Sequence, residues 1–256
     1  MTGGDLSDRL REVAGMVSPG MYVYDVGCDH GFLSIYLVKY GGAPGAVASD
    51  VNPGPLRAAH EHVADEGLDE KIRLIQSDGL HNITKPNEPS VLVMAGMGGP
   101  LILDILENSP FPISVFKEIV ISPQSRIEDV RSRLPDLGLH IINESMVRDA
   151  GKYYTVMKLI PADGSMAHTQ HDPGLDSLLG AGAAHAYDLY GYRLIIGAHP
   201  VFKDYLAHEH EILKGVLAEL DSSKHTEKYA QITEDIRINE LIYKWMEGIQ
   251  YGYDHD

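Results

Sequence analysis

Residues 22–31 have the sequence Tyr-Val-Tyr-Asp-Val-Gly-Cys-Asp-His-Gly. A short apolar run ends there in a glycine-containing loop, and residues 32–40 continue with a helical pattern. Glycine lets the backbone approach a ligand closely, and the first amides of a helix have no partner within that helix. The stretch therefore predicts a first strand, a ligand-binding loop and a crossover helix.

The same order of strand and helix recurs over the first 160 residues. Parallel neighbours in a sheet need crossover connections, so this alternation predicts a parallel, doubly wound sheet. The last two strands are separated only by residues 147–152, which predicts an antiparallel hairpin at the sheet edge. The predicted strands are 21–25, 46–50, 72–76, 91–94, 119–122, 139–146 and 153–160, and the main predicted helices are 6–17, 32–40, 55–66, 100–106 and 127–134.

The residue composition changes after Pro161. A connector rich in Gly, Ala and His covers residues 161–185, and two helical stripes follow that are broken at residues 221–223. We expect an antiparallel helical hairpin here, with its apolar stripes packed on each other. The stripes are Ile212, Leu213, Val216, Leu217 and Leu220, and Ile232, Ile236, Leu241, Ile242 and Trp245.

These patterns predict an α/β chain of two domains. Residues 1–160 are expected to form a Rossmann-like, doubly wound, mostly parallel seven-stranded sheet with an antiparallel edge hairpin. Residues 161–256 are expected to hold the connector and a small, coiled-coil-like C-terminal helical hairpin.

Composition and charge limit the functions that are possible. The 256 residues contain 44% hydrophobic side chains and carry a net charge of −16, which is unlike the basic balance of most nucleic-acid-binding proteins. Residues 117–158 nevertheless hold seven basic and six acidic side chains, so a local basic face remains possible. The single cysteine, Cys28, and a start without a basic and apolar signal predict a cytoplasmic protein. No apolar run approaches the roughly 20 residues that span a bilayer.

The loop after the first strand indicates which ligand it binds. A dinucleotide fingerprint requires Gly-x-Gly-x-x-Gly, but Gly27 is followed by Asp29 and Phe32 at the other two positions. A carboxylate in this loop would repel a pyrophosphate, whereas it suits a ligand that carries a sulfonium and an ammonium group. The loop therefore favours S-adenosylmethionine as the cofactor.

Two further strands end in acidic residues. Asp50 ends the second strand, where an acidic residue typically accepts hydrogen bonds from ribose hydroxyls, and Asp78 precedes Gly79 after the third strand. Each aspartate alone is equally explained as a helix cap or turn former. Carboxylates at three successive strand ends favour a ligand, because ligands of open α/β sheets bind beyond the carboxyl ends of the strands.

A glycine-rich turn follows the fourth strand at residues 95–99, with the sequence Ala-Gly-Met-Gly-Gly. Its position beside the expected methyl group suggests that backbone, not bulky side chains, faces the substrate. The alternative is a tight turn that needs glycine for positive φ.

Four motifs together resemble a known family. They are Asp-Val-Gly-Cys-Asp-His at 25–30, Ala-Gly-Met-Gly-Gly at 95–99, Ser-Pro-Gln at 122–124 and Lys-Tyr-Tyr at 152–154. The chain resembles the bacterial tRNA (adenine-22-N1)-methyltransferases, class I S-adenosylmethionine-dependent enzymes. The likeness extends to Leu-Ser-Asp-Arg-Leu at 6–10 and to the paired C-terminal helices. Cys28 stands where a serine is common, and the connector is richer in Gly and His than the family pattern.

The resemblance implies a tRNA substrate and specific site residues. Asp29 is the expected catalytic residue, since a carboxylate near N1 of the adenine could accept a proton or stabilise positive charge. The expected cofactor-binding residues are Asp25, Gly27, Asp29, His30, Asp50, Val51, Asp78, Gly79, Ala95, Gly96 and Met97. The expected substrate-binding residues are Gly98, Gly99, Pro123, Gln124, Arg126, Arg131, Arg148, Lys152 and Tyr153. For each basic residue, surface solubility is the alternative explanation.

Two other functions fit the sequence. A methyltransferase of the same fold that acts on a small molecule would accommodate the charge of −16. A noncatalytic RNA-binding protein could also keep the fold, although the intact acidic strand ends argue against it. Thirteen histidines include no convincing ligand set, so we expect no metal site, and the sequence leaves the oligomeric state open, a monomer included.

Overall fold

The computed structural model describes residues 6–162 and 171–252. The chain divides into two compact units, Met1–His168 and Thr169–Asp256. The domain boundary that the sequence predicts at residue 161 stays a prediction, because residues 163–170 lie outside the described ranges.

The first unit contains one seven-stranded sheet in the order β3-β2-β1-β4-β5-β7-β6. Strands β1 to β5 are parallel, and β7 runs antiparallel to both β5 and β6. The prediction of a Rossmann-like sheet with an antiparallel edge hairpin is confirmed. The strands are β1 Tyr22–Val26, β2 Ala46–Asp50, β3 Ile72–Gln76, β4 Ser90–Ala95, β5 Glu118–Ser122, β6 Leu139–Asp149 and β7 Lys152–Pro161.

Helices cover both faces of the sheet, because successive strand side chains point to opposite faces. Val91 and Val93 of β4 pack in a cluster with α1, α2 and α3, whereas Leu92 and Met94 pack with α4 and α5. These helices are α1 Asp8–Met16, α2 Phe32–Lys39, α3 Pro53–Asp65, α4 Gly99–Glu107 and α5 Ile127–Arg133, and short 3₁₀ helices lie at Ile113–Val115 and Leu134–Leu137. The sheet is thus rigidly held, and its strand ends can position side chains.

The hairpin of β6 and β7 is longer than predicted. The strands continue to Asp149 and from Lys152, and Ala150 and Gly151 form the turn with φ of +47° and +79°. Positive φ at both central residues suits the right-handed twist of a hairpin. Ile121 pairs with Met157, so residues 152–155 extend past the end of β5 by roughly 13 Å. The hairpin tip therefore projects beyond the carboxyl edge of the parallel strands.

The second unit is helical. It consists of α6 Pro173–Leu179, a 3₁₀ turn Gly180–Gly182, α7 Ala183–Tyr190, α8 Tyr192–Ile196, α9 Pro200–Glu219 and α10 Thr226–Gly252. Contacts between α9 and α10 confirm the predicted helical hairpin.

Two predictions for this unit are wrong. The predicted connector contains α6, which begins where the Asp172 side chain accepts a hydrogen bond from the Leu175 amide at 2.9 Å. The α9 stripe is not packed as expected, because Ile212 and Val216 are exposed. On α10, Ile242 is buried as predicted.

Candidate functional site

A cleft of about 390 Å³ lies at the carboxyl ends of β1 to β4. Between β1 and β4 the strand order reverses, which is where open α/β sheets bind their ligands. All eleven residues that the sequence predicts to hold the cofactor line this cleft. They are Asp25, Gly27, Asp29, His30, Asp50, Val51, Asp78, Gly79, Ala95, Gly96 and Met97.

The amides of the loop after β1 bond to neighbouring protein groups. Those of Gly27 and Cys28 both donate to the Ser49 carbonyl, at 2.8 and 2.9 Å, and that of Asp29 donates to Asp50 Oδ2 at 3.3 Å. A pyrophosphate site needs such amides for the ligand. The geometry therefore agrees with the exclusion of a dinucleotide.

Gly27 brings two loops of the cleft together. Its φ is +77°, and a Cβ at this position would lie 2.7 Å from Met97 Cε. A side chain here would strain the backbone and would displace the flexible end of the Met97 side chain. The positive φ is thus the main reason for glycine at residue 27.

The Asp50 carboxylate is held by backbone amides on both oxygens. Oδ2 accepts from Asp29, and Oδ1 accepts from the Asn52 amide at 2.8 Å. A carboxylate has about four acceptor positions, so about two remain after these bonds. The side chain is fixed in one orientation and can still accept hydrogen bonds from a pair of hydroxyl groups.

Asp25 has a different environment from the other carboxylates. It is buried and accepts a 2.7 Å hydrogen bond from Ser34 Oγ at the start of α2. Burial raises the pKa of Asp25 to about 6, and the Ser34 hydrogen bond only partly offsets that effect. Burial, followed by the nearby aspartates, also raises the pKa of the Cys28 thiol. Cys28 is therefore a buried, protonated thiol and not a nucleophile.

Asp29 presents its carboxylate at the cleft. Its side chain is 73% exposed, and Oδ1 lies 3.5 Å from His30 Nε2. The backbone has φ of +51°, a conformation that costs a non-glycine residue about 1 to 3 kcal/mol and that is common at functional sites. The His30 carbonyl in turn contacts His62 Nδ1 at 3.0 Å, and the His62 ring stacks on Phe32. The loop thus holds an aspartate and a histidine side by side.

Two exposed apolar side chains also line the cleft. Val51 after β2 is 53% exposed, and Leu101 on α4 is 47% exposed. Exposed large apolar residues that line a concave site are typical of ligand pockets. They provide apolar surface that a flat aromatic ring can cover. The sequence predicted Val51 but not Leu101.

Comparisons of sequence identify the family. A family of methyltransferase domains matches residues 6–157. The tRNA (adenine(22)-N(1))-methyltransferase of Bacillus subtilis is 32% identical over 163 residues, which make up 64% of this chain and 68% of that protein. The chain belongs to the bacterial tRNA (adenine-22-N1)-methyltransferase family.

Solved structures of this family share the fold over most of the chain. Sp1610 of Streptococcus pneumoniae, in complex with S-adenosyl-L-methionine, has a TM-score of 0.77 and 29% identity, covering 93% of this chain and 100% of that one. TrmK of M. capricolum, in complex with S-adenosyl-homocysteine, has a TM-score of 0.70 and 25% identity, covering 94% of this chain and 98% of that one. These two proteins bind the methyl donor and its demethylated product.

The turn after β4 is tied to the loop after β5. The Gln124 amide donates to the Met97 carbonyl at 3.0 Å, and the Gly99 amide donates to the Ser125 carbonyl at 3.0 Å. Gly99 is buried, and a Cβ there would lie 2.5 Å from the Ser125 carbonyl oxygen. Backbone packing thus explains Gly99. Its predicted substrate contact, like that of Gly98, stays a prediction.

Several predicted substrate residues lie on surfaces next to the carboxyl edge. The Arg148 guanidinium stacks on the Tyr153 ring at 5.5 Å, and Lys152 begins β7 at the hairpin tip. Gln124 and Arg126 are exposed on the loop after β5, where Arg126 also pairs with Asp129 at 2.6 Å. Their roles toward a substrate stay predictions.

Arg131 corrects the predicted set of RNA contacts. Its side chain is 4% exposed, and its Nε donates to Glu144 Oε1 on β6 at 2.8 Å. This buried ion pair joins α5 to the edge hairpin. Arg131 therefore cannot reach a phosphate from this position. Pro123 is buried as well, so its predicted substrate contact has no exposed surface to support it.

The sequence did not assign a role to Arg9. This residue of α1 lines the cleft although it is far from the strand-end motifs along the chain. Only its place in the opening motif of the family pointed to it. Other cleft residues that the sequence did not single out are Asn52, Pro55, Ser77 and Ile105.

The structure also gives two negative findings. In residues 6–162 and 171–252, no group of three or more His, Cys, Asp or Glu side chains is arranged to hold a metal ion. Over the same part of the chain, no helix is both long enough and apolar enough to cross a membrane.

Proposed function

We propose that this protein transfers a methyl group from S-adenosylmethionine to N1 of adenine 22 in tRNA. The observation that carries the proposal is the cleft, where Asp29, Asp50 and Asp78 follow three successive strands of a methyltransferase sheet. S-adenosylmethionine supplies an electrophilic methyl group on a sulfonium centre. The negative side chains around the cleft suit that positive charge.

The side chains of the cleft fit the parts of this cofactor. We propose that Asp50 accepts hydrogen bonds from the two ribose hydroxyls with the acceptor positions left by its backbone partners. Val51 and Leu101 offer apolar surface for the adenine ring, and Asp78 lies beside it. Gly27 and Gly96, with φ of +77° and +90°, present backbone at the cleft to the remaining part of the ligand.

Asp29 is proposed to act on the substrate adenine. When the N1 lone pair forms the new bond to the methyl carbon, the carbon–sulfur bond of the donor would break and leave its electron pair on sulfur. The base would then carry a positive charge, which it would lose if the exocyclic amine released a proton. The Asp29 carboxylate accepts that proton, directly or through water, or stabilises the charge. His30, at 3.5 Å from Asp29, is positioned to take up the proton next.

The overhanging hairpin is proposed to contact the RNA backbone. Three residues of the hairpin lie where β6 and β7 project past the carboxyl end of β5, at the same edge of the sheet as the cleft. They are Arg148, Lys152 and Tyr153. Phosphate contacts orient an RNA without reading its sequence. A few basic residues at this tip allow an acidic protein to hold tRNA locally. We also propose that the part of the chain after residue 161 assists tRNA binding and takes no part in holding the cofactor.

The test uses two unmodified tRNA transcripts that differ only in having adenine or guanine at position 22. The protein and methyl-labelled S-adenosylmethionine are added to each. We expect about one methyl group per molecule in the adenine transcript, a reverse-transcription stop at that position, and no label in the guanine transcript.

Other outcomes would select among the alternatives. Label in a small-metabolite pool and none in tRNA would support a small-molecule methyltransferase. Tight tRNA binding without any transfer would support a noncatalytic RNA-binding protein. Transfer to both transcripts would show that the target is a different nucleotide.

A further inference from the structure

A separate cavity of about 210 Å³ lies on the face of β1, β2 and β3 that is opposite to α2 and α3. Residues 77–89, which join β3 to β4, contain no helix, and part of this segment borders the cavity instead. The cavity and the cleft have no lining residue in common. It lies towards the amino ends of the strands, since Tyr22 begins β1 and Arg73 is the second residue of β3.

The floor of this cavity is partly aromatic. Tyr24 lies beside Val47 in the pairing of β1 with β2, and Val47 lies beside Arg73 in the pairing of β2 with β3. Side chains two residues apart on a strand share a face, so Tyr22 lies next to Tyr24, with the ring centroids 5.7 Å apart. The floor thus joins two aromatic rings and an aliphatic side chain to a guanidinium.

Gly45 lets the Tyr22 ring lie close to the backbone where β2 begins. A Cβ built on Gly45 would lie 2.7 Å from Tyr22 Cε2 and 2.9 Å from the Lys71 carbonyl oxygen. The second of these contacts is with backbone, which cannot turn aside as a side chain can, so no larger residue fits without a shift. Tyr22 is only half-buried, and it lines the cavity. The ring is therefore both supported from below and accessible to a ligand.

The two basic residues that line the cavity are Arg73 and Lys85. Both are exposed, and within residues 6–162 and 171–252 no acidic side chain forms an ion pair with either of them. Glu88 is the one acidic residue among the described lining residues, and it accepts a hydrogen bond from the Tyr24 hydroxyl at 3.3 Å. The lining therefore has an excess of positive charge, although the chain has a net charge of −16.

We infer that this cavity binds one single-stranded nucleotide of the tRNA, an inference that rests on the RNA substrate named in the proposed function. Every base has a flat face that stacks on an aromatic side chain, and arginine and lysine pair with phosphates. Tyr22 supplies the stacking surface, and Arg73 and Lys85 supply the phosphate contacts. Sites for complete small molecules usually measure about 300–1,000 Å³. The smaller volume here favours one unit of a longer chain.

The bound nucleotide is not the one that is methylated. Strand β1 runs from Tyr22 to Val26, which lines the cleft, and four residues of strand span roughly 13 Å. A base stacked on Tyr22 is thus remote from Asp29 and from the cofactor. The cavity contributes to the affinity for tRNA and leaves the affinity for S-adenosylmethionine unchanged.

The experiment measures the binding of a fluorescein-labelled, unmodified tRNA transcript by anisotropy. We expect Tyr22→Leu to raise the dissociation constant about 5-fold or more, because the stacking surface is lost, and Tyr22→Phe to keep the affinity, because the ring stays. Arg73→Gln and Lys85→Gln should each lower the slope of log K against log salt by about 0.7. Calorimetry with S-adenosylmethionine checks that every variant is folded.

Lys39→Gln is the matched control for the two basic residues. Lys39 lies on α2, which packs on the opposite face of the same strands, and its ammonium already pairs with Glu66. This variant should change neither the dissociation constant nor the salt slope. A measurement without any variant is ultraviolet cross-linking of the tRNA to the unaltered protein, which should attach a nucleotide to the peptide that contains Tyr22.

Several results would overturn the inference. Equal losses in Tyr22→Leu and Tyr22→Phe would assign the effect to the hydroxyl and not to stacking. An unchanged dissociation constant for Tyr22→Leu, or cross-links confined to other peptides, would show that RNA does not reach the cavity. Displacement of the tRNA by a similar concentration of adenosine monophosphate would show a site for a free nucleotide.

These results are distinguishable from a failure of the proposed function. If adenine 22 is methylated while the variants bind tRNA as the unaltered protein does, only the inference about the cavity is wrong. If the unaltered protein binds no tRNA, the proposed function and this inference are both wrong.

Discussion

The carboxyl edge of the sheet has two halves that differ in charge and in the way their side chains are held. The cleft is lined by Asp29 after β1, Asp50 at the end of β2 and Asp78 after β3, and backbone amides hold Asp50 in place. After β5 and on the hairpin of β6 and β7, the surface instead presents basic and aromatic side chains such as Arg148 and Lys152. The two halves differ in charge as expected if one edge serves a cationic cofactor and, as we propose, an anionic RNA at different positions.

If the hairpin contacts RNA as proposed, this separation accounts for the action of a chain with a net charge of −16 on RNA. Net charge is an average, whereas exposed charges interact over roughly 10 Å at ordinary ionic strength. The acidic half lines a cleft, and the basic residues lie on a hairpin that extends past the end of β5. We expect the RNA phosphates to contact this hairpin.

The largest expected effect is on Asp29, in the acidic half. Asp29→Asn keeps the shape and tolerates φ of +51°, because asparagine adopts left-handed conformations more readily than most residues. We expect the single-turnover methylation rate to fall about 10²-fold or more, with cofactor affinity nearly unchanged. Rapid-quench kinetics on tRNA gives the rate.

Asp78→Asn is the matched control for that experiment, since it removes the same charge from the same cleft. An equal loss of rate in both variants would mean that the general negative potential matters, and not Asp29 itself. A rate for Asp29→Asn close to that of the unaltered protein would make the residue structural.

The next prediction concerns Asp25, the buried carboxylate of the acidic half, and tests whether burial raises its pKa. Its pKa of about 6 lies above the ordinary value of 3.8, so the folded state binds the proton more tightly than the unfolded chain. The contribution of the Asp25 proton to the free energy of unfolding is therefore full below about pH 4 and is lost as the pH rises through 6. Asp25→Asn does not titrate, and the variant should gain on the order of 3 kcal/mol relative to the unaltered protein between pH 4 and pH 8.

Urea unfolding of both proteins at the two pH values measures this difference, and titrations elsewhere in the chain cancel in the comparison. A constant difference in the free energy of unfolding would mean that Asp25 has an ordinary pKa. The Ser34 hydrogen bond would then fully offset the effect of burial on the pKa.

Asp50 should give the next largest effect. Asp50→Ala removes the acceptor for the proposed ribose hydroxyls and also the partner of the Asp29 and Asn52 amides. We expect the affinity for S-adenosylmethionine to fall by about 1 to 3 kcal/mol. Calorimetry checks this, and an unchanged affinity would contradict the assignment of the acidic half to the cofactor.

The smallest effects are expected in the basic half. Arg148→Ala and Lys152→Ala should each weaken tRNA binding a few-fold, at about 1 kcal/mol or less, and should lower the salt dependence of log K by about 1 per lost phosphate contact. Filter binding at several salt concentrations measures both quantities. Arg133→Ala serves as the control, because Arg133 is an exposed arginine already paired with Glu107 and Asp136. If all three variants behave alike, the hairpin has no special role.

Most of the acidic half could be predicted from the sequence, because its signals are local. A strand, a turn residue and a carboxylate occur within a few positions, as at Asp50, and the strand bounds 46–50 and 72–76 were predicted as they are found. Parallel strands then bring their ends together without further information. The position at the cleft of each residue predicted to bind the cofactor followed from that rule.

Some of the missed features depend on residues that are distant along the chain. In others, a local signal was present but the surrounding residues suggested a different structure. Arginine is usually a surface residue, and nothing near Arg131 in the sequence indicates otherwise. Its burial depends on the ion pair with Glu144, which lies on β6. Arg9 reaches the cleft because the hairpin at Asp149 holds α1 there. Helix α6 did have a local signal, the cap at Asp172, but the Gly, Ala and His around it suggested a connector.

The carboxylates around the cleft have a consequence for turnover. The donor arrives with a sulfonium charge and leaves as a neutral thioether, so methyl transfer removes one positive charge from a site lined by Asp25, Asp29, Asp50 and Asp78. The attraction between those side chains and the ligand is weaker after the reaction than before it. Each transfer thus loosens the spent donor, and it leaves behind a site that is already charged to attract the next one.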